Sequence, residues 1–330
     1  MEYRRLGNTE IKVSVITFGA WAIGGFMWGG TDDDAAVAAI RKALDLGMTT
    51  IDTAPVYGFG HSEKVVAKAV GARRSEVQIL TKFGLQWENE EGAYHFTAQD
   101  PSGKPVKVYR NARKERVIAE CEESLQRLGT DYIDLYQQHW PDPGTPIEET
   151  YEAMAKLLQD GKVRAVGVSN FSVEQMEAVR KIVPLAANQP PYSMVNRGIE
   201  RDVLPYCVAN NIGVLVYSPL QRGLLTGKVT MDREFPPTDH RRGNAFFKPE
   251  NRRRVLDFLA QIAPIAEAHG ATLAQVAISW TIHRPGITSA LVGARDPEQV
   301  EENAKGAQLR LTEGETQEID RLLDALKLDL

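Results

Sequence analysis

Short apolar runs alternate with longer amphipathic segments over most of the 330-residue chain. The runs are VITFG, TTID, VQILTKFG, YIDLYQQH, VRAVGVS, LAANQ, GVLVYSPL and ITSALVGA. Runs of this length, bounded by glycine, proline or polar residues, predict buried strands, and the segments between them have the spacing of amphipathic helices. The chain therefore presents eight strand-plus-helix units in one series, with a single domain expected over residues 1–330.

This alternation determines the expected fold class. Strands that alternate with helices form parallel sheets, and eight units favour an α/β fold of the (β/α)8 TIM barrel type. Six or seven genuine units would leave an open, doubly wound sheet as the alternative. Before the first unit, the segment YRRLGNTEIKVS predicts a β-hairpin that turns at Gly7 and Asn8.

Helix boundaries and two long connections complete the pattern. Thr31 and the aspartates after it predict the start of the first helix, Gly47 its end, and Ser62 the cap of the second helix. The long connections are residues 85–112 and residues 221–251. Long connections in compact domains are usually functional or disordered, and both follow strands, on the side where barrels have their active sites.

Composition narrows the class of protein. A hydrophobic fraction of 43% and a charged fraction of 25% exclude disordered and fibrous proteins. A net charge of -5 gives no electrostatic footprint for nucleic acid, and the chain has no apolar run of about 18 residues, so no membrane partner is expected. Cys121 and Cys207 lie far apart, without metal or redox spacing, which favours a reducing, cytoplasmic location. The basic stretch at 241–254 predicts either a solvated surface or a loop that meets phosphate.

Four residues near the ends of predicted strands form a candidate proton-delivery set, namely Asp52, Tyr57, Lys82 and His139. Reactive residues at the carboxyl ends of successive strands are typical of barrel active sites. Tyrosine is a weak acid with a pKa of about 10, and a neighbouring lysine ammonium is expected to lower that pKa toward working pH. With the aspartate holding the lysine and the histidine bonding to the substrate oxygen, the set could protonate an alkoxide as it forms on a carbonyl carbon.

Taken singly, each of these residues has a simpler interpretation. Asp52 and Tyr57 are ordinary loop residues, and His139 could be structural. Lys82 could extend to the rim of the barrel, or it could be the Schiff-base lysine of a lyase. The joint occurrence at separate strand ends favours the proton-delivery set. The chain has no zinc-ligand spacing, so no metal is expected.

A candidate phosphate site lies late in the chain, because the glycine motifs of P-loop and Rossmann proteins are absent. The segment VGARDPEQVEEN ends a predicted strand and opens a helix, with Asp296 as the cap and Pro297 at the first helical position. Helix N-termini bind phosphate, and Arg295 adds a guanidinium there. A plain helix start with a surface arginine explains these residues equally well.

Eight segments, taken in order, resemble the aldo-keto reductases over essentially the whole chain, and in particular bacterial reductases of the general-stress and inositol-utilisation type. They are TFGAWAIGG, IDTAPVYGFGHSE, ILTKFG, DLYQQHWPDP, VGVSNF, NQPPYSMVNR, VYSPLQRGLLTGK and VGARDPEQVEEN. The resemblance implies a barrel that binds NADPH extended across its mouth and that reduces small aldehydes or ketones. It also implies that Tyr57 is the proton donor, that Lys82 and Asp52 tune it, and that His139 orients the carbonyl.

The resemblance further implies a set of cofactor-binding residues. Ser169, Asn170 and Gln189 would hold the carboxamide of nicotinamide, and Tyr217 would stack on its ring. The full set is Gly19, Ala20, Trp21, Asp52, Ser169, Asn170, Gln189, Tyr217, Ser218, Pro219, Leu220, Gln221, Gly223, Leu224, Lys228, Gly293, Arg295, Gln299, Glu302 and Asn303. NADP is the expected cofactor. Because the acidic Asp296 lies beside Arg295 and weakens the preference for a 2′-phosphate, NAD stays possible as the less favoured cofactor.

The substrate and the oligomeric state are less closely defined. Trp21, Trp28, Trp87 and Trp140 are candidate walls of an apolar substrate pocket, and core or rim packing is the alternative for each. The expected function is NADPH-dependent reduction of a small carbonyl compound by a monomer or weak homo-oligomer. The alternative is an NADP-binding redox-sensing module with little turnover, which steady-state kinetics would distinguish.

Overall fold

All eight apolar runs form strands in the computed structural model, which describes residues 1–25, 28, 30, 32–100, 103–236 and 239–330. The strands are β1 (Tyr3–Arg5), β2 (Lys12–Ser14), β3 (Ile16–Gly19), β4 (Thr50–Asp52), β5 (Gln78–Phe83), β6 (Leu85–Gln86), β7 (Ala93–Gln99), β8 (Pro105–Arg110), β9 (Leu135–Gln138), β10 (Val166–Ser169), β11 (Leu185–Gln189), β12 (Gly213–Tyr217) and β13 (Ser289–Gly293). The α-helices are α1 (Asp33–Asp45), α2 (His61–Val70), α3 (Lys114–Leu128), α4 (Ile147–Gln159), α5 (Val173–Arg180), α6 (Val203–Ala209), α7 (Pro249–Ala268), α8 (Leu273–Ile282), α9 (Pro297–Gln308) and α10 (Glu313–Ala325).

Eight of these strands close into an all-parallel barrel. Around the barrel they follow chain order, from β3 through β4, β5, β9, β10, β11 and β12 to β13. Pairing of β13 with β3, which includes Gly293 and Gly19, closes the ring. The predicted (β/α)8 barrel is confirmed, and the open-sheet alternative is excluded because an open sheet has two unpaired edges.

The predicted N-terminal hairpin is also confirmed. Strands β1 and β2 pair antiparallel, with Tyr3 opposite Ser14. Leu6, in the turn, is completely buried and packs with interior residues of the barrel that include Leu80 and Leu215. The hairpin therefore covers the end of the barrel opposite the strand carboxyl ends.

Side-chain alternation along each strand positions the candidate site. Successive residues of a strand point to opposite faces, so Leu80 in the interior core predicts that Lys82 also points inward. The same rule gives one inward residue near the carboxyl end of every barrel strand. These residues are Gly19, Asp52, Lys82, Gln137, Ser169, Gln189, Tyr217 and Gly293.

The helix boundaries agree with the predictions except at α2. Asp32 caps α1 by accepting a hydrogen bond from the Ala35 amide at 3.0 Å, and Thr31 lies outside the described residues. Ser62 was predicted as the cap of α2, but the N-cap is Gly60, whose φ of +91° few other residues adopt. Ser62 lies inside the helix, and its hydroxyl donates to the carbonyl of Ala20 at 2.9 Å.

The connection at 85–112 contains a sheet of its own. Strands β6, β8 and β7 form a three-stranded antiparallel sheet in this order, with β8 in the centre. The second connection contains short 3-10 turns at Gln221–Thr226 and Ala245–Phe247, followed by α7 and α8. Within the described ranges, none of the helices is long and apolar enough to cross a membrane.

Candidate active site

The carboxyl ends of the barrel strands open into a cavity of about 570 Å³. The cavity runs from the ends of β4 and β9 to the start of α9, so it joins the predicted catalytic residues to the predicted cofactor residues. The predicted residues that line it are Gly19, Ala20, Trp21, Trp28, Asp52, Tyr57, His139, Trp140, Ser169, Asn170, Gln189, Tyr217, Ser218, Pro219, Leu220, Gly223, Lys228, Gly293, Arg295, Gln299, Glu302 and Asn303.

Asp52, Tyr57, Lys82 and His139, called the tetrad below, meet at the inner end of this cavity. The ammonium of Lys82 donates to Asp52 Oδ1 at 2.5 Å, to the carbonyl of Thr53 at 2.9 Å and to the hydroxyl of Tyr57 at 3.3 Å. The tyrosine ring stands edge-on to the imidazole of His139, with 5.7 Å between the ring centroids. Both rings line the cavity, while the lysine lies completely buried beneath them.

The second oxygen of Asp52 is held by two glutamine side chains. Its Oδ2 accepts from Gln137 at 3.2 Å and from Gln189 at 2.8 Å. Gln137 was not predicted, although it alternates with Leu135 and His139 and so had to point into the barrel. Gly167 on the neighbouring strand makes room for it, since a Cβ atom there would lie 2.8 Å from Gln137 Cγ.

Burial and charge set the protonation states of the tetrad. Burial raises the pKa of Tyr57 above its ordinary value, and the nearby Lys82 charge opposes this effect without overcoming it. The prediction that Lys82 brings this pKa down toward working pH is therefore wrong in its net direction. Burial alone would lower the pKa of Lys82, but the negative charge of Asp52 raises it above its ordinary value. Burial, with the Lys82 charge, holds the pKa of His139 well below its ordinary value.

A hydrogen-bonded chain of polar side chains forms the neighbouring wall. Ser169 Oγ donates to the carbonyl of Gln189 at 2.7 Å, and Asn170 Nδ2 donates to Ser169 Oγ at 3.0 Å and to the carbonyl of His139 at 3.1 Å. The hydroxyl of Tyr217 donates to Asn170 Oδ1 at 2.9 Å. The residues predicted to hold a carboxamide and to stack on its ring are thus linked to one another and to the tetrad.

The opposite end of the cavity, called the outer end below, consists of Lys228, Arg295, Gln299, Glu302 and Asn303. Lys228 pairs with Glu302 Oε2 at 2.9 Å, and Oε1 of that glutamate is buried and has no hydrogen-bond partner among the described residues. Asp296 caps α9 by accepting from the Gln299 amide at 2.8 Å. The predicted helix start after the last strand is therefore confirmed, and the carboxylate of Asp296 is engaged within its own helix.

Two further arginines line the cavity between these ends. Arg241 makes an ion pair with Asp239 at 2.6 Å, and its guanidinium stacks over Trp28. Arg222 forms no ion pair in the described part of the chain, and burial lowers its pKa. Its φ of +55° falls in a turn where Ser218 also has a positive φ, and strained backbone of this kind clusters at functional sites.

The basic stretch at 241–254 divides between two roles. Arg241 lines the cavity, as described above. Arg252 instead donates to backbone carbonyls, including those of Arg233 and Phe247. Arg254 pairs with Asp329 near the end of the chain. Neither proposed interpretation holds for the whole stretch, because its arginines point to different parts of the fold.

Three predicted site residues lie elsewhere. Trp87 does not line the cavity, because its ring packs against Phe59 with 5.3 Å between centroids. Gln221 points away and accepts a hydrogen bond from Ser193 at 2.9 Å. Leu224 is completely buried in the hydrophobic core. The side chains of these three residues therefore lie outside the cavity lining, and their predicted part in binding stays a prediction.

The cavity wall also contains residues that the sequence did not indicate. Val56, Leu85, His95 and Phe96 face the same space as Trp140. His95 and Phe96 are on β7 in the inserted sheet, and the sequence had indicated this segment only as a long connection. The insertion therefore supplies part of the wall beside the tetrad.

Comparison with known proteins places these observations in a family. A sequence model of the Aldo/keto reductase family matches residues 15–324. The chain is 42% identical to the aldo-keto reductase YhdN of Bacillus subtilis (strain 168) over 327 residues, which cover 98% of this chain and 94% of that protein. It is 35% identical to the NADH-specific methylglyoxal reductase of Escherichia coli (strain K12) over 328 residues, which cover 98% of both chains.

A solved structure agrees with the sequence matches. The glycerol dehydrogenase AKR11B4 from Gluconobacter oxydans is 42% identical and superposes with a TM-score of 0.88, covering 98% of this chain and 95% of that chain. The likeness thus extends over nearly the whole chain. A match of this extent shows that the chain belongs to the aldo/keto reductase family.

Proposed function

We propose that this protein reduces small aldehydes or ketones to alcohols with NADPH, and that Tyr57 is the proton donor. The observation that carries the proposal is the Tyr57 hydroxyl, which lies on the cavity wall 3.3 Å from the Lys82 ammonium and next to the ring of His139. The activities of two relatives support a small carbonyl or alcohol as substrate, since one is a methylglyoxal reductase and another a glycerol dehydrogenase.

The charges along the cavity fit a nicotinamide dinucleotide. Lys228 and Arg241 are already neutralised by acidic partners. Arg222 and Arg295 form no ion pair in the described parts of the chain. Arg222 is half-buried, and a half-buried cation without a partner is unfavourable unless a ligand anion compensates it, so Arg222 would meet the pyrophosphate. Arg295 is exposed beside the start of α9, where helix N-terminal amides favour phosphate, and it would meet the 2′-phosphate of NADP. The bound cofactor would supply the hydride for the carbonyl carbon.

The tetrad would supply the proton. The raised pKa of Tyr57 keeps its hydroxyl protonated at neutral pH, which is the form that a general acid needs. As the substrate oxygen gains negative charge, Tyr57 transfers its proton to that oxygen, and the Lys82 ammonium stabilises the phenolate that remains. Asp52 keeps the ammonium in place by accepting its hydrogen bond.

His139 would orient the carbonyl group. Its lowered pKa leaves the imidazole neutral, so the ring offers one N–H donor without competing with Tyr57 as an acid. Trp21 and Trp140 line the same part of the cavity. Their apolar rings exclude water, and hydrogen bonds to the developing oxyanion are stronger in such surroundings.

The geometry argues against a Schiff-base lyase. The Lys82 amine makes three hydrogen bonds and has a raised pKa, so it is held as an ammonium that cannot attack a carbonyl. A redox-sensing module with little turnover would have the same tetrad, and a measurement of turnover decides between it and the enzyme.

We also propose that residues 1–330 form one domain, supported by the pairing of β3 with β13. We further propose that the protein works in a reducing compartment, supported by two free cysteines.

The test compares the parent with Tyr57→Phe. NADPH consumption is followed by absorbance with a panel of small aldehydes, and cofactor affinity by fluorescence titration. The variant should bind NADPH like the parent and lose about 10²–10⁴-fold in kcat, because the ring stays while the acid is removed. A variant within threefold of the parent would exclude Tyr57 as the donor. A parent without turnover on any aldehyde would favour the redox sensor.

A further inference from the structure

The inserted sheet brings one ionisable ring, that of His95, to the cavity wall. In the antiparallel pair of β7 and β8, Tyr94 is opposite Tyr109 and Phe96 is opposite Val108. Between these two pairs the chain advances by two residues on β7 but by only one residue on β8, so His95 is the extra residue of a β-bulge. A bulge changes the direction of side chains and is common beside active sites. It explains how the consecutive residues His95 and Phe96 both face the cavity.

The ring of His95 is positioned by packing. It lies against Trp140 with 5.2 Å between ring centroids and against Phe96 with 5.1 Å. In the part of the chain that the structure describes, no hydrogen bond engages its ring nitrogens. A half-buried imidazole held by aromatic contacts and open to a cavity can offer these nitrogens to a ligand.

The charges around His95 favour the neutral ring. Burial lowers its pKa, and repulsion from Arg110 on the neighbouring strand lowers it further. The only other titratable group with which it interacts in the described structure is His139, which is itself held neutral. A neutral imidazole has one N–H donor and one nitrogen acceptor. It therefore suits a hydroxyl or carbonyl group and gives little attraction to a carboxylate.

We infer that His95 is a specificity residue that selects small aldehydes or ketones carrying a second neutral oxygen, a hydroxyl or a carbonyl, besides the group that is reduced. The walls around it are apolar, namely Val56, Leu85, Phe96 and Trp140. A substrate oxygen placed there without a partner would lose its hydrogen bonds to water, and the ring of His95 replaces one of them. This inference rests on the proposed carbonyl reduction.

The experiment measures kcat/KM for 2-hydroxypropanal and for propanal, which differ by one hydroxyl group, and for glyoxylate as a carboxylate probe. His95→Phe keeps a ring against Trp140 and removes both nitrogens. His95→Gln keeps a donor and an acceptor. Tyr94→Phe is the matched control, since Tyr94 is the preceding residue of the strand and is 55% exposed outside the cavity. Thermal unfolding of each variant verifies that it is folded.

The parent should prefer 2-hydroxypropanal to propanal. His95→Phe should reduce this preference by about two- to twelvefold, the range of one neutral hydrogen bond, and leave propanal within threefold. His95→Gln should restore most of the preference, and Tyr94→Phe should not change it. Propanal serves as the internal standard, because general damage to the site would lower both rates together.

Three results would overturn the inference. An unchanged preference in His95→Phe, with the parent active, would mean that the ring is only packing. A loss confined to glyoxylate would mean that His95 acts as a cation. Equal loss of the preference in His95→Gln and His95→Phe would show that shape and not hydrogen bonding selects the substrate. A parent that reduces none of the three with NADPH or NADH would instead overturn the proposed function, and the inference with it.

Discussion

The two ends of the cavity contain the same kind of ion pair in opposite surroundings. At the tetrad, Lys82 and Asp52 are only 1% and 2% exposed. At the outer end, Lys228 and Glu302 are 70% and 24% exposed. Water and salt screen the outer pair, whereas the inner pair is screened little. In the proposed function, the proton transfer would therefore rest on strong, fixed interactions, and the choice of cofactor would rest on weak ones that are easily altered.

The largest effect should follow from removing the inner cation. Lys82→Met leaves Asp52 buried without its charge partner, and we expect kcat to fall by about 10²–10⁴-fold and the free energy of unfolding to fall by about 3–5 kcal/mol. Asp52→Asn should be milder, because the ammonium still contacts Thr53 and Tyr57. Steady-state kinetics and urea denaturation measure these effects.

The double variant tests whether the inner pair acts as a unit. If Lys82 and Asp52 are coupled, their combined loss in kcat should be smaller than the product of the single losses. Independent, multiplying losses would contradict the coupling and, with it, the contrast between the two ends.

A smaller effect is expected at the outer end from Arg295, which forms no ion pair within the described ranges of the chain. Arg295→Ala should raise the Kd for NADPH by about tenfold and leave the Kd for NADH nearly unchanged, since a charge-assisted hydrogen bond to the 2′-phosphate is lost. Fluorescence titration at one ionic strength, repeated at higher salt, measures the effect and its screening. Equal weakening of both cofactors would exclude Arg295 and favour Arg222 or Arg241, which line the same cavity.

The pH profile of the parent tests the protonation states of the tetrad. In the proposed mechanism, reduction needs Tyr57 protonated and His139 neutral. The pKa of Tyr57 is raised above 10.0 and that of His139 lies well below 6.5. In aldehyde reduction, kcat/KM should therefore vary by less than about threefold between these two values, falling only in more acidic or more alkaline solution. A decline beginning near pH 8 would mean that Lys82 does bring the tyrosine pKa down in solution.

The smallest effect should come from the outer ion pair. Lys228→Met makes the same chemical change as Lys82→Met, but at an exposed position, and should alter the free energy of unfolding by no more than about 0.5 kcal/mol. Urea denaturation of the two variants side by side gives the ratio of the two effects. Comparable losses would show that burial does not distinguish the two ends.

Sequence patterns predicted the barrel because each of its strands carries a local signal. Helix α8 has no such signal, since every residue from Ala274 to Ile282 is buried and the helix has no exposed polar face. The inserted sheet was missed for another reason. Its strands mix polar and apolar residues without a clear alternation, and their order depends on pairing with each other, which a local pattern does not contain.

The tetrad was predictable because its members follow strand ends, which the pattern of apolar runs locates. Gln137 could also have been found, since alternation alone directs it inward. The directions of Trp87 and Gln221 could not, because both follow strands, where the backbone turns freely and packing partners distant in sequence decide the orientation. The pKa of Tyr57 was misjudged because burial is a property of the finished fold.

The inserted sheet leaves and rejoins the barrel at almost the same point. Leu85 pairs with Arg110, and the Asn111 amide donates to the carbonyl of Gly84 at 3.1 Å. For the barrel, the whole insertion is equivalent to one short turn after Lys82. We therefore expect this segment to tolerate changes of length or sequence while the strand that holds the lysine stays in place. Such changes would alter the cavity wall at His95 and Phe96 and leave the tetrad where it is.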